Sequence, residues 1–142
     1  MKKRIIALGL LWCLSAVMLQ AARVDTVLVR SAAMNKDVKV VYVLPDKAIG
    51  KQACPVVYLL HGYGGNARSW VQLKPELPQM ADEKGIIFVC PDGKNSWYWD
   101  SPENPAYRYE TFVTSELVKY TDGNYATIPD RKARAISGLS MG

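Results

Sequence analysis

Two apolar stretches near the start of the chain alternate with polar positions, and three later ones do not. Val24 to Ser31 reads as a first strand. Asp37 to Pro45 reads as a second, with Val38, Val40, Tyr42 and Leu44 alternating against Lys39, Val41 and Val43. Asn35-Lys36 supplies a turn between them, and Asp46 to Ala53 is polar enough to be a loop. Pro55 to Leu60 and Ile86 to Cys90 are continuous apolar runs, the pattern of strands covered on both faces. Ala133 to Leu139 is a third run of this kind. Between the first two, Ala67 to Lys84 has helical character broken by Pro75 and Pro78. This predicts a short turn near Trp70 and a helix from about Leu77 to Glu83. Tyr107 to Tyr120 is the clearest helix, with Tyr109, Phe112, Val113, Leu117 and Tyr120 on one face. Asp122-Gly123-Asn124 is expected to stop it.

The order is therefore a hairpin, then strand, helix, strand, helix, strand. Buried strands alternating with crossover helices predict an α/β fold, a mostly parallel sheet with helices on both faces. No internal domain boundary is visible, and 142 residues suit one domain. With 49% hydrophobic and 22% charged residues, the composition is globular rather than disordered.

The first residues change how the charge is read. Met1-Lys2-Lys3-Arg4 is basic, Ile5 to Leu19 is mostly apolar, and Gln20-Ala21-Ala22 offers small residues for cleavage. Residues 1–22 read as a signal peptide, with a retained anchor as the alternative. Residues 23–142 read as part of a single domain. Export to the periplasm or beyond follows, with no stable span after cleavage. The whole chain is +5, and Lys2, Lys3 and Arg4 carry three of those charges, so the remainder is close to neutral. That excludes a basic nucleic-acid surface. Cys54 precedes one parallel strand and Cys90 ends the next, so the two thiols fall at opposite ends of the sheet and stay unbridged. CxxC or Cys/His metal spacing is absent, and neither a metal nor an organic cofactor is implied.

Two glycine-rich segments carry candidate chemistry. Gly138-Leu139-Ser140-Met141-Gly142 has the Gly-x-Ser-x-Gly form, which a chain of this length matches by chance about one time in twenty. Its context is more specific. A buried strand leads into it, and small residues on both sides allow the sharp turn that lifts a serine out of a sheet. His61-Gly62-Tyr63-Gly64-Gly65 lies at the end of the earlier apolar strand. Acyl transfer builds charge on a carbonyl oxygen, and glycines let backbone N–H groups approach it closely. Trp97, Tyr98 and Trp99 sit in a loop after a strand end. They read either as a platform for an aromatic group or a sugar, or as packing against the rim of the core.

Together these stretches resemble the esterase D-like "putative esterase" family of the α/β-hydrolase superfamily. That family includes S-formylglutathione hydrolases, feruloyl and acetylxylan esterases, and mycolyltransferases. The resemblance rests on Val56 to Gly62, Asn66 to Trp70, Phe88 to Gly93, Tyr109 to Phe112, Glu116-Leu117 and Gly138 to Gly142. It implies Ser140 as nucleophile, and Met141 and Tyr63 as backbone donors to the oxyanion. It implies a structural His61, which is the only histidine in the chain. The family's triad runs Ser, Asp, His, and the later two would lie beyond Gly142. Asp92, Asp100 and Asp122 all precede the serine and read as turn or surface residues. The expectation is therefore an N-terminal portion of a hydrolase, cut after the nucleophile strand and inactive or nearly so alone. Its substrate would be a small-molecule or polysaccharide-linked ester. Acyl transfer and a non-catalytic exported binding domain remain as alternatives.

Overall fold

The computed structural model describes residues 22–142. The signal-peptide reading of 1–22 falls, except for Ala22, outside the described residues. Five strands form one sheet: β1 (Arg23–Ser31), β2 (Lys36–Leu44), β3 (Val56–Leu60), β4 (Ile87–Pro91) and β5 (Arg134–Gly138). The order across the sheet is β1-β2-β4-β3-β5. β2 pairs antiparallel with β1 and β4, and β3 pairs parallel with β4 and β5. Four strands thus point one way and β2 runs against them. The C-terminal ends of β3, β4 and β5 consequently lie at one end of the sheet.

Alternation on the strands separates two cores. On one face, Val40, Tyr42, Val56, Tyr58, Ile87 and Val89 pack against the long helix. On the other, Val41, Val43, Leu59, Phe88 and Cys90 pack against Leu77 and Ala81. These belong to α3 (Leu77–Lys84), which follows α2 (Ser69–Leu73), as the prolines predict. α3 ends on Gly85, whose φ of 63° is the left-handed cap that glycine adopts most easily. The segment read as a loop after β2 holds one helical turn, α1 (Asp46–Ile49).

The long helix differs from its prediction in two ways. It consists of α4 (Tyr109–Thr111), a π-helical turn (Phe112–Glu116) and α5 (Leu117–Asn124). Thr114 Oγ1 donates to the Glu110 carbonyl at 2.7 Å, a side chain intruding on the backbone ladder where the wide turn begins. The extra residue in that turn moves the buried face on by one. Tyr109, Phe112, Val113 and Leu117 are buried as expected, but Thr121 replaces Tyr120 at the next position. The Thr121 hydroxyl is satisfied by Tyr42 Oη at 2.8 Å. The helix runs past Tyr120 and ends within the expected stop, on Asn124, whose Nδ2 donates to the Tyr120 carbonyl at 2.8 Å. Asp122 is tied to Arg134 and to Thr127 Oγ1.

The third apolar run is the largest departure. β5 forms, but it is not buried: Ile136 is 59% exposed. An apolar run marks a strand that can be covered, and cover comes from neighbours. Among the described residues β5 has only β3 beside it. A groove of about 530 Å³ lined by Tyr58, Val113, Val118 and Ile136 is left open there. Cys54 and Cys90 are both buried and free, as expected. No helix among the described residues is long and apolar enough to cross a membrane.

Candidate active site

Three loops meet at the C-terminal end of the parallel strands. The first is the turn after β5. Leu139 N–H donates to the Leu60 carbonyl at 3.2 Å, carrying the β3–β5 ladder one residue past the strand. Gly142 N–H then donates to the Leu139 carbonyl at 3.1 Å and closes the turn. Ser140 stands between them with φ 58°, exposed to solvent. A non-glycine residue in this region is strained by about 1–3 kcal/mol and persists only where its surroundings impose it. The two flanking glycines show what imposes it. A Cβ on Gly138 would stand 2.2 Å from the Gly142 carbonyl carbon, and one on Gly142 would stand 2.6 Å from the Leu60 oxygen. Trp70 Nε1 braces the same Leu60 carbonyl at 3.0 Å.

The second loop, His61 to Gly65, lies against this turn. A Cβ on Gly62 would be 3.2 Å from the Leu139 oxygen and 3.4 Å from Ser140 Cβ. Gly64 has φ 77°, and Gly65 packs so closely that a Cβ would meet His61 Nδ1 and Ser69 Oγ at 2.8 Å. Within the described residues, no hydrogen bond uses the N–H of Tyr63 or of Met141. Both donors are therefore free beside the serine turn.

His61 is buried, and both ring nitrogens are occupied by backbone. Nδ1 is 2.7 Å from the Gly62 oxygen, and Nε2 accepts from Gly93 N–H at 2.9 Å. This describes a neutral ring with its proton on Nδ1. It ties the glycine loop to the third loop, Asp92 to Trp99, which follows β4. Tyr98 Oη accepts from His61 N–H at 3.0 Å, and Asn95 Oδ1 accepts from Gly64 N–H at 2.8 Å. The sequence did not single out Asn95 or this use of Tyr98, because the contacts join residues 31 and 37 positions apart on two different loops.

The three acids read as turn or surface residues occupy other places. Asp92 is buried, accepting from Lys94 N–H at 2.9 Å and from Lys94 Nζ at 3.0 Å. Its Oδ1 is 3.6 Å from His61 Nε2, a near neighbour rather than a hydrogen-bond partner. Burial alone would raise its carboxyl. The Lys94 N–H and the Lys94 ammonium outweigh that and hold it well below the usual carboxylate range. Asp100 accepts from Thr111 N–H at 3.0 Å and Thr111 Oγ1 at 2.5 Å, holding the start of the long helix. Asp122 is the partly buried partner of Arg134.

Nothing among the described residues groups three or more His, Cys, Asp or Glu side chains where they could hold a metal. The aromatic stretch is split: Tyr98 packs inward over Gly93, whereas Trp97 and Trp99 face solvent.

Comparison with known proteins agrees with this architecture. An acetyl esterase of Caldicellulosiruptor saccharolyticus is 28% identical over 120 residues, 79% of this chain and 44% of that protein. An endo-1,4-beta-xylanase/feruloyl esterase of Xylanibacter ruminicola is 37% identical over 102 residues, 66% of this chain and 14% of that protein. The solved S-formylglutathione hydrolase of Agrobacterium tumefaciens superposes with a TM-score of 0.74 at 27% identity. The match covers 85% of this chain and 50% of that one. The chain thus spans less than half the length of these curated relatives. The family model described as "Putative esterase" matches residues 31–142, and the chain belongs to that family of α/β-hydrolase-like esterases.

Proposed function

We propose that this chain carries the nucleophile half of a serine carboxylic ester hydrolase. Ser140 attacks the ester carbonyl, the Tyr63 and Met141 N–H groups hold the developing oxyanion, and water releases the acid from an acyl-enzyme. The observation that supports this reading best is the strained, exposed Ser140 set against a glycine loop with a free donor on each side. Oxyanion donors of this kind are typically worth about 10²–10³ in rate each.

His61 is not the base in this reading, because both its nitrogens are committed inward. The base and its acid come from residues outside this stretch, and the 142 residues alone are nearly inactive. Removing triad members from a serine hydrolase leaves only about 10³–10⁴-fold catalysis over water. Acyl transfer to a sugar hydroxyl would use the same residues, and product analysis tells it from hydrolysis. The sequestered His61 favours the third reading, a non-catalytic binding domain, only for this stretch by itself. Export through residues 1–22 is part of the proposal, and it directs the substrate choice to an extracellular ester of a small molecule or a polysaccharide.

Nitrophenyl acetate hydrolysis tests the assignment. The 142-residue chain is expected to match its Ser140→Ala variant. A version extended past Gly142 to the length of its relatives is expected to turn over, and to lose turnover with Ser140→Ala. Turnover by the extended protein that survives Ser140→Ala overturns the nucleophile. Ordinary esterase rates from the 142-residue chain overturn the need for further residues.

A further inference from the structure

Asp82 lies in the last turn of α3. A helix carries partial negative charge at its C-terminal end, so an acid there is disfavoured and a cation favoured. Among the described residues, no Lys, Arg or His side chain is ion-paired with Asp82. Its two carboxylate oxygens accept instead from the backbone of two other segments. Oδ2 accepts from Ala22 N–H at 2.7 Å, and Oδ1 accepts from Asp46 N–H at 2.7 Å. Ala22 precedes β1, and Asp46 opens α1 just after β2. The hairpin register sets them near each other, because Arg23 lies opposite Leu44. Ala22 also packs against the core that Val41, Val43, Leu77, Ala81 and Phe88 form. Ala22 is therefore held by the fold at both its nitrogen and its side chain.

That nitrogen is one that removal of a leader could free. Such a cut needs a small residue just before the broken bond, and both Ala21 and Ala22 meet the requirement. A cut after Ala22 would discard the nitrogen that Asp82 holds. A cut after Ala21 keeps it and changes its chemistry. Water adds across the Ala21–Ala22 peptide bond, and the C–N bond breaks. Ala21 leaves with a carboxylate, and the proton that its carboxyl gives up balances the one that the Ala22 amine takes. The atom on Asp82 Oδ2 is then an ammonium with three donors in place of an amide with one. Ion-to-ion hydrogen bonds are roughly twice as strong as neutral ones. The new positive charge also offsets the dipole at the end of α3.

We propose that the leader is cut between Ala21 and Ala22 and that the freed Ala22 α-ammonium latches onto the Asp82 carboxylate, fastening the start of β1 to α3 and α1. The latch rests on the export reading of residues 1–22 and is independent of what Ser140 does. Charged groups on the surrounding elements have other engagements. Arg23 is paired with Asp25 at 2.7 Å, Lys47 lies over Gly85 at the end of α3, and Asp46 meets Asp82 through its N–H. Lys84 shares the last turn of α3.

The test uses the protein expressed from Met1 in a bacterial host that exports it, and extended past Gly142 to the length of its relatives. Intact mass of the exported protein is expected to give Ala22 as the first residue. A first residue of Arg23 overturns the latch and leaves export standing, whereas an uncut leader overturns both. Urea unfolding then compares the protein starting at Ala22 with one carrying a Gly-Ser extension before Ala22, each with and without Asp82→Asn. At pH 7 the extension is expected to raise the unfolding constant about five- to thirtyfold. Asp82→Asn is expected to remove most of that difference, and the four-way comparison subtracts the cost of the substitution itself. An α-amine ordinarily titrates near pH 8, and a carboxylate partner raises that value in the folded protein. The difference is therefore complete below about pH 7 and lost as pH rises through the folded value, with little left above about pH 10. Equal stability of the two versions, or a difference that survives Asp82→Asn or high pH, overturns the latch.

Discussion

At the scale of residues, the serine turn is a steric construction, and its glycines should be graded by what a Cβ would meet. Gly142→Ala places a carbon 2.6 Å from the Leu60 backbone oxygen, which cannot move without breaking the β3–β5 ladder. Gly62→Ala meets the Leu139 oxygen at 3.2 Å, a contact relieved by a few tenths of an ångström. Thermal denaturation should show Gly142→Ala destabilised by about 3 kcal/mol or more, and Gly62→Ala by about 1 kcal/mol. Asp92 gives a pH-dependent counterpart. Its carboxyl is depressed in the folded chain, so its contribution is present above the ordinary carboxylate range, near pH 4. It is lost as pH falls toward the folded value. Asp92→Asn should therefore cost about 1–3 kcal/mol at neutral pH and progressively less in acid, read from urea titrations across pH 2 to 7.

At the scale of elements, the long helix does two jobs that periodicity alone conceals. Its π-helical turn aims Glu116 at the hairpin, where the carboxylate accepts from Ser31 Oγ at 2.5 Å and Ala33 N–H at 2.8 Å. Glu116→Ala leaves the buried Ser31 hydroxyl and a turn amide without this acceptor. A loss of about 1–3 kcal/mol is expected, with faster amide exchange confined first to the β1–β2 turn. The apolar spacing located this helix and four of its five core residues. It missed the fifth because a pattern counted at constant pitch does not contain the wide turn. The Asp-Gly-Asn stop does end the helix, on Asn124, while Asp122 is tied to Thr127 and to Arg134 on β5.

At the scale of the whole molecule, the exposed β5 is the feature with the largest physical consequence. It carries an unpaired edge among the described residues, with Ile136 beside an open apolar groove. Such an edge templates pairing with other chains. The 142-residue chain should associate as concentration rises, and Ile136→Lys should suppress this, as measured by light scattering. An Ile136→Lys variant that associates as readily as its parent would show that another surface is responsible.

Much of the design was legible along the chain, because strand alternation, continuous apolar runs, prolines and glycine-rich turns are local signals. They determined the five strands, the two helical layers, the glycine loop and the serine turn. The family resemblance pointed to Ser140, Tyr63 and Met141, and the structure brings their turns together with both N–H groups free. Only the tertiary structure decided the roles that depend on distant partners. It buried Asp92, committed both nitrogens of His61 to backbone, enlisted Asn95 and Tyr98 as clamps, and separated outward Trp97 from inward Tyr98. An amino-acid pattern states which surface a segment is able to bury; whether that surface is buried depends on which other segments reach it.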